Sequence, residues 1–223
     1  MHLRGGVHIT DFSKTLSEIG FVEGDIIEVL LSTISEGGEP NAAPMGVWVK
    51  KGPELYLRPY SNTRTAQNLK RTHTAVINLS QDPHIFLQLA FKEELPLSTP
   101  IQFVPSVRVK APRIQSASGF IEVEAALQDP IPKGAQYTEY VCDIRLVELT
   151  SASTMGYSRA RSAAIEAVLL ATKIRAFQRD STLVRSTNQQ IDQLSDLVER
   201  IAPNSPSAEV IRSIKSLLPL WGE

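Results

Sequence analysis

Near residue 150 the hydrophobic pattern of the chain changes its period. Before it, short runs rich in Ile, Val and Leu alternate with Gly and Pro; after it, apolar residues recur every three or four positions. Side chains alternate faces along a strand but return to one face of a helix about every 3.6 residues, so one architecture cannot serve both parts. The expectation is an α+β chain, with a β-rich domain over residues 1–150 and a small helical subdomain over 151–223.

In the first part, residues 25–33 (DIIEVLLST) read as a largely buried strand, 36–40 (EGGEP) as a turn, and 41–50 (NAAPMGVWVK) as the second arm of a hairpin. Residues 51–53 (KGP) turn again into a short strand at 54–58, and further strands are expected at 74–80, 103–110, 119–127 and 137–150. In the last of these Cys142, Ile144 and Leu146 alternate with Asp143 and Arg145, as in a strand with one wet face. Strands at this spacing suggest a barrel or sandwich. Pro44 has no N–H to give a ladder, so its strand is expected to be an edge or to be bulged there.

In the second part Ala160, Ala163, Ala164, Ala167, Val168, Ala171 and Ile174 form one small-residue helical face. Thr187 and Gln190 read as a capping box ahead of Ile191, Leu194, Leu197, Val198 and Ile201; Ser205 and Pro206 open a third helix.

Bulk properties exclude several partners. A net charge of −1 offers no general attraction to nucleic acid or an anionic membrane, and no apolar run nears the roughly 20 residues of a membrane span. The single cysteine, Cys142, cannot form an internal disulfide and reads as a core strand residue, as suits a reducing compartment. The first six residues (MHLRGG) lack a signal-peptide core, so the expected location is cytoplasmic.

The segment richest in chemistry is 57–71 (LRPYSNTRTAQNLKR), which leaves a strand, turns through Pro59, Tyr60, Ser61 and Asn62, and enters a helix at about Thr63. Ser61, Asn62, Thr63 and Thr65 supply short polar side chains, with Arg58 and Arg64 on either side. Free N–H groups at a helix start, its dipole and these donors make a seat for a phosphate dianion. The same composition serves an ordinary helix cap, and the residues alone leave both readings open. Just upstream, small Ala42, Ala43 and Gly46 around Pro44 offer a surface on which a planar ring such as isoalloxazine could lie, or simply a short protected edge.

Other chemistries lack their motifs: no GxGxxG follows a strand, and there is no Walker A or HExxH. His73 and His84 have no partner at ligand spacing, so no metal site is expected, and no catalytic acid or base stands out.

The order NAAPMGV, turn, LYLRPYS, NTRTAQNLKRTHTAVINLS resembles the FMN-binding split-barrel superfamily, which includes pyridoxamine-phosphate oxidase-like proteins and flavin reductases. In the oxidases a Tyr-(Ser/Thr)-Asn segment precedes a Ser-Arg-Lys triplet that holds the flavin phosphate. Here Tyr60-Ser61-Asn62 precedes Thr63-Arg64-Thr65, with Thr65 where the lysine stands. The segments IGFVEGDIIEVLLST, PNAAPMGVWV, TRTAQNLKR and SRARSAAIEAVLLATKI are similar to the family called domain of unknown function 447. The resemblance implies an FMN-binding split β-barrel with a helical tail, in a homodimer with flavin near the subunit interface. It implies Ser61, Thr63, Arg64 and Thr65 at the phosphate, Tyr60 in the same turn, and Asn41, Ala43, Met45 and Gly46 along the ribityl chain and ring. The function implied is an oxidoreductase passing hydride or electrons through FMN, with NAD(P)H or a reduced deazaflavin as donor. The alternatives are a non-catalytic FMN carrier or sensor, and a flavin-free scaffold whose helices recruit a partner.

Overall fold

The computed structural model describes residues 12–50, 52–92, 100–128, 135–150 and 154–221. Helix α1 (Phe12–Glu18) precedes strand β1 (Ile27–Ile34), which turns back into β2 (Pro40–Val49). That turn uses Gly38 at φ +88°, and the Ser35 hydroxyl accepts from the Glu39 N–H. There follow β3 (Leu55–Leu57), α2 (Arg64–Thr72), β4 (Thr74–Leu79), α3 (Pro83–Ala90), β5 (Phe103–Val104), β6 (Arg113–Ile114), β7 (Gly119–Leu127) and β8 (Tyr140–Leu149). The strands run in the order β2-β3-β8-β7-β4-β1, and β1 pairs again with β2. All these pairings are antiparallel, so six strands close into a barrel without free edges along most of their length.

Alternation decides what lies inside. Ile27, Val29 and Leu31 of β1, Ala75, Ile77 and Leu79 of β4, and Ile121, Val123 and Ala125 of β7 point into one core with Cys142 and Ile144 of β8. Each large aliphatic buried this way contributes about 1.5–3 kcal/mol. Cys142 is the core strand residue expected of it, and burial pushes its thiol up to about 12. Outward residues Leu30, Val76 and Phe120 form a second cluster under Leu89, Ala111, Ile114 and Ala117.

Two strand expectations need correction. Residues 103–110 do not form a barrel strand: only Phe103–Val104 is extended and paired, with Arg113–Ile114 in a separate hairpin. The N–H groups of Val107 and Arg108 donate instead to the buried Glu122 carboxylate, at 2.9 and 2.6 Å, so they have no donors left for a ladder. Arg113 pairs with the same carboxylate at 2.7 Å and pins the loop. The strand expected from 137 begins at Tyr140, with Tyr137 making only an isolated bridge to Tyr60.

Contacts divide the chain into a barrel unit, Ile27–Tyr157 with the segment up to Val22, and a helical unit from Ser158 onward that includes Glu23–Ile26. The two-residue β9 (Tyr157–Ser158) stands at the division. The helical unit comprises α4 (Arg159–Ala176), α5 (Ser181–Ile201), α6 (Pro206–Leu217) and a closing 3-10 turn at Leu218–Leu220. Ala160, Ala163, Ala164, Ala167, Ala171 and Ile174 of α4 are buried as expected, but Val168, expected on the same face, is 40% exposed. Ser158 caps α4 and donates to the buried Asp25 at 2.8 Å. Ser205 caps α6 with Pro206 at its first position, as expected. The capping box at Thr187 is not a helix start. Asp180 caps α5 by accepting from the Leu183 N–H at 3.0 Å, and Thr187 lies mid-helix at 2% exposure between the buried Val184 and Ile191. Among the described residues, no helix is long and apolar enough to cross a membrane.

Candidate functional site

The short β3 leaves part of β2 as open edge. β3 pairs with β2 only over Val47–Val49, leaving Pro40 to Gly46 unpaired on the side away from β1. The Lys92 ammonium donates to the Ala42 carbonyl at 3.3 Å, which places the main-chain groups of Ala42 on that outer side. Successive residues point opposite ways, so the outer side also carries those of Pro44 and Gly46. The missing N–H of Pro44 therefore costs β1 no hydrogen bond. The β1–β2 register runs from Ile27↔Val47 to Ile34↔Pro40 without a shift, so Pro44 marks an edge, not a bulge.

Beside this edge stands the start of α2. After β3 the chain turns through residues 58–62, and Thr63, extended at φ −88° and ψ 156°, caps the helix. Its hydroxyl accepts from the Ala66 N–H at 3.3 Å and donates to the Tyr60 carbonyl at 2.7 Å. The Gln67 N–H returns to the Thr63 carbonyl at 3.1 Å. Among the described residues, the N–H groups of Arg64 and Thr65 keep no acceptor, the ordinary condition of a helix's first donors. They are available to an anion.

Edge and helix start line one cleft of about 920 Å³, together with the end of α3. Asn41, Ala43, Met45 and Gly46 line it from β2; Tyr60, Thr63, Arg64 and Thr65 line it from the turn and α2. Eight of the nine expected site residues are thus brought together. Ser61 is not among the lining residues: its N–H donates to the Gln136 carbonyl at 2.9 Å and its hydroxyl lies 3.2 Å from that of Thr138. Thr63 lines the cleft, but its hydroxyl serves the cap.

The charges divide sharply. Arg64 is exposed and has no acidic partner among the described residues. Arg58, the other expected cation, is clamped by Glu139 and lies 5.2 Å over the Trp48 ring and 4.6 Å over the Tyr137 ring. Burial would raise the Glu139 carboxyl, but hydrogen bonds from Lys50 and Arg58 outweigh it and hold the group below its ordinary 4.5. Arg58 also lines the cleft, its side chain 42% exposed, so it borders the site as one half of an ion pair and not as a lone cation.

A lysine that no local pattern marks also reaches the cleft. Lys92, just past α3, lines the cleft and donates to Asn41 Oδ1 at 2.6 Å. The Asn41 amide donates in turn to Thr65 Oγ1 at 3.3 Å. Leu89 and Ala90 of α3 and Glu28 of β1 also line the cleft, and sequence reasoning missed them all. The missing signal for α3 was Asp82–Pro83: Asp82 caps by accepting from the His84 N–H at 2.8 Å, with Pro83 in the first turn. No group of His, Cys, Asp and Glu that could hold a metal ion occurs among the described residues. The cleft suits a ligand anionic at one end and flat at the other.

Comparison with known proteins gives the barrel a family. A family model described as the N-terminal domain of a protein of unknown function, DUF447, matches residues 27–149, which is β1 through β8. Among solved structures, the FMN-bound DUF447 protein from Methanosarcina mazei has a TM-score of 0.50 at 20% identity, covering 90% of this chain and 98% of that one. The flavin reductase PheA2 in its native state has a TM-score of 0.47 at 14% identity, covering 57% and 83%. The styrene monooxygenase flavin reductase from Pseudomonas putida S12 has 0.47 at 12%, covering 60% and 90%. No curated protein matches. At 20% identity the likeness to the Methanosarcina protein is one of fold, a split barrel carrying C-terminal helices.

Proposed function

The chain belongs to the DUF447 family, its barrel being that family's N-terminal domain, and from this premise we propose that it is a flavoprotein holding FMN in the cleft between β2 and α2. The observation that carries the reading is the meeting, in one cleft, of an unpaired small-residue strand edge with a helix start whose first two N–H groups lack acceptors. The residues fit the group. The N–H groups of Arg64 and Thr65 and the Arg64 guanidinium would receive the phosphate. Ala43, Met45 and Gly46 would lie along the ring, and Asn41 between the two ends. The cleft volume, about 920 Å³, falls within the range of roughly 300–1,000 Å³ usual for small-molecule sites. The FMN-bound state of the Methanosarcina family member supports the choice of ligand.

FMN when bound supplies hydride or electron chemistry, while this chain binds it, orients it and sets the polarity around it. The reading extends to an oxidoreductase fed by NAD(P)H or a reduced deazaflavin. It also extends to a homodimer, since Tyr60 stands 65% exposed at the rim of the cleft, where a second subunit would cover it.

Freshly purified protein is expected to show a flavin absorbance spectrum and to quench added FMN. Arg64→Ala is expected to weaken FMN binding by about 1.5–3 kcal/mol, the worth of a charge-assisted hydrogen bond, and to leave riboflavin affinity nearly unchanged. Equal affinity of the native protein for FMN and riboflavin would put the phosphate elsewhere, and binding of neither would end the flavoprotein reading. Reduction of the bound flavin by NAD(P)H or reduced deazaflavin, with passage to an acceptor, separates an oxidoreductase from a carrier.

A further inference from the structure

The wall of the cleft contains a hydrogen-bonded chain whose direction is set from outside the phosphate seat. Lys92 Nζ stands 2.6 Å from Asn41 Oδ1. An ammonium can only donate, so the Asn41 amide must turn its oxygen to Lys92 and its NH2 away. That NH2 reaches Thr65 Oγ1 at 3.3 Å and Thr33 Oγ1 at 3.5 Å. Asn68 also donates to Thr33, at 3.1 Å, so the amides of Asn41 and Asn68 converge on the same hydroxyl. Thr65 Oγ1 accepts from Asn41, and its own proton is left for another acceptor. Thr65 is 3% exposed and lines the cleft, and among the described residues its O–H has no acceptor. A hydroxyl proton so placed is available to a ligand oxygen in the cleft. It sits on the first turn of α2, next to the two main-chain N–H groups that also lack acceptors.

We propose that Lys92 is a positioning residue which, through Asn41, holds the Thr65 hydroxyl as a donor into the cleft, so that the seat selects a group that only accepts hydrogen bonds, a phosphate monoester. The identity of the ligand rests on the FMN reading above; the relay is a property of three side chains on β2, α2 and the segment after α3. With Lys92 removed, the Asn41 amide is free to rotate by half a turn. Its oxygen would then take the Thr65 proton and close the seat's buried donor.

The test is fluorescence titration of the full chain with FMN and with riboflavin, for the native protein, Lys92→Met, Lys92→Arg, Thr65→Val, Thr65→Ser and the double variant Lys92→Met/Thr65→Val. Lys92→Met and Thr65→Val are each expected to weaken FMN binding about tenfold, the scale of one hydrogen bond to a charged group, with riboflavin within about twofold of native. Lys92→Arg and Thr65→Ser keep a donor in place and are expected to retain most of the affinity. The double variant should be no weaker than Thr65→Val, because Lys92 acts only through that hydroxyl. If Lys92→Met costs as much in the Thr65→Val background as in the native one, Lys92 acts by its charge and the relay is refuted. Unchanged FMN affinity in Lys92→Met, or equal losses for FMN and riboflavin, refutes it as well. A native protein that does not prefer FMN to riboflavin overturns the flavin reading and this proposal together, whereas a preference that Lys92→Met leaves at its native size overturns the relay alone.

Discussion

Glu139 shows how one side chain decides the electrostatics beside the cleft. It accepts from Lys50 at 2.8 Å and pairs with Arg58, while Lys50 lies 4.2 Å over Tyr56 and Arg58 over Trp48 and Tyr137. Its folded carboxyl lies below the ordinary value of 4.5, so the unfolded chain binds the proton more readily. The stabilisation is therefore complete above that value and is lost as pH falls through the folded one. Urea unfolding between about pH 3 and 6 should show stability falling with acid, and Glu139→Gln should flatten part of that slope. An unchanged slope would remove Glu139 from the account. The same residue explains what the sequence could and could not tell about the site. The turn at Tyr60 to Thr65 and the edge at Asn41 to Gly46 were legible because each is a local pattern, a cap and a small-residue strand with proline. The pairing of Arg58 with a carboxylate 81 residues downstream, and the arrival of Lys92 at Asn41 from 51 residues away, leave no local trace.

Elements were readable wherever the backbone bonds to itself. Strands β1, β2, β4, β7 and β8 follow a pattern of alternating or continuous apolar residues. Residues 103–110 carry a similar alternation, yet two of their N–H groups serve the carboxylate of Glu122, and no period in the sequence distinguishes a carboxylate partner from a neighbouring strand. Likewise a capping motif at Thr187 was real as a pattern but overruled by Asp180, because Val184 and Thr187 extend the buried stripe of α5 toward its start. Close approach is the third case. A Cβ on Gly156 would collide with Cγ2 of Ile27 and lie 3.3 Å from the Ile19 carbonyl, whereas one on Gly37 would meet only the Ser35 hydroxyl at 3.7 Å. Ile27 is fully buried and cannot swing away. Gly156→Ala should destabilise the barrel by about 1–3 kcal/mol through overpacking, and Gly37→Ala should stay within about 0.5 kcal/mol of native, both measured by urea unfolding. Comparable stabilities for the two variants would mean that the barrel wall yields at Ile27.

At the scale of the whole molecule, the change of period near residue 150 separates the hydrophobic clusters built on the strands from the one built by helices α4 to α6. Every residue lining the cleft, from Glu28 to Tyr137, belongs to the barrel unit. The helical unit has its own core, in which Ile191 of α5 is fully buried among Ala167, Val198 and Ile211. Truncating such a residue removes its transfer energy and leaves a cavity, so Ile191→Ala should cost the helical unit about 2–5 kcal/mol. The strand ladders and the start of α2 are untouched by that change, and FMN affinity measured where the barrel remains folded should stay within about twofold of native. Far-UV circular dichroism would follow the earlier loss of helix, and fluorescence titration at a temperature below that transition would follow the flavin. A fall in FMN affinity with the helical core weakened but still folded would contradict a seat contained in the barrel, since nothing in β2, α2 or the segment after α3 would have changed to account for it.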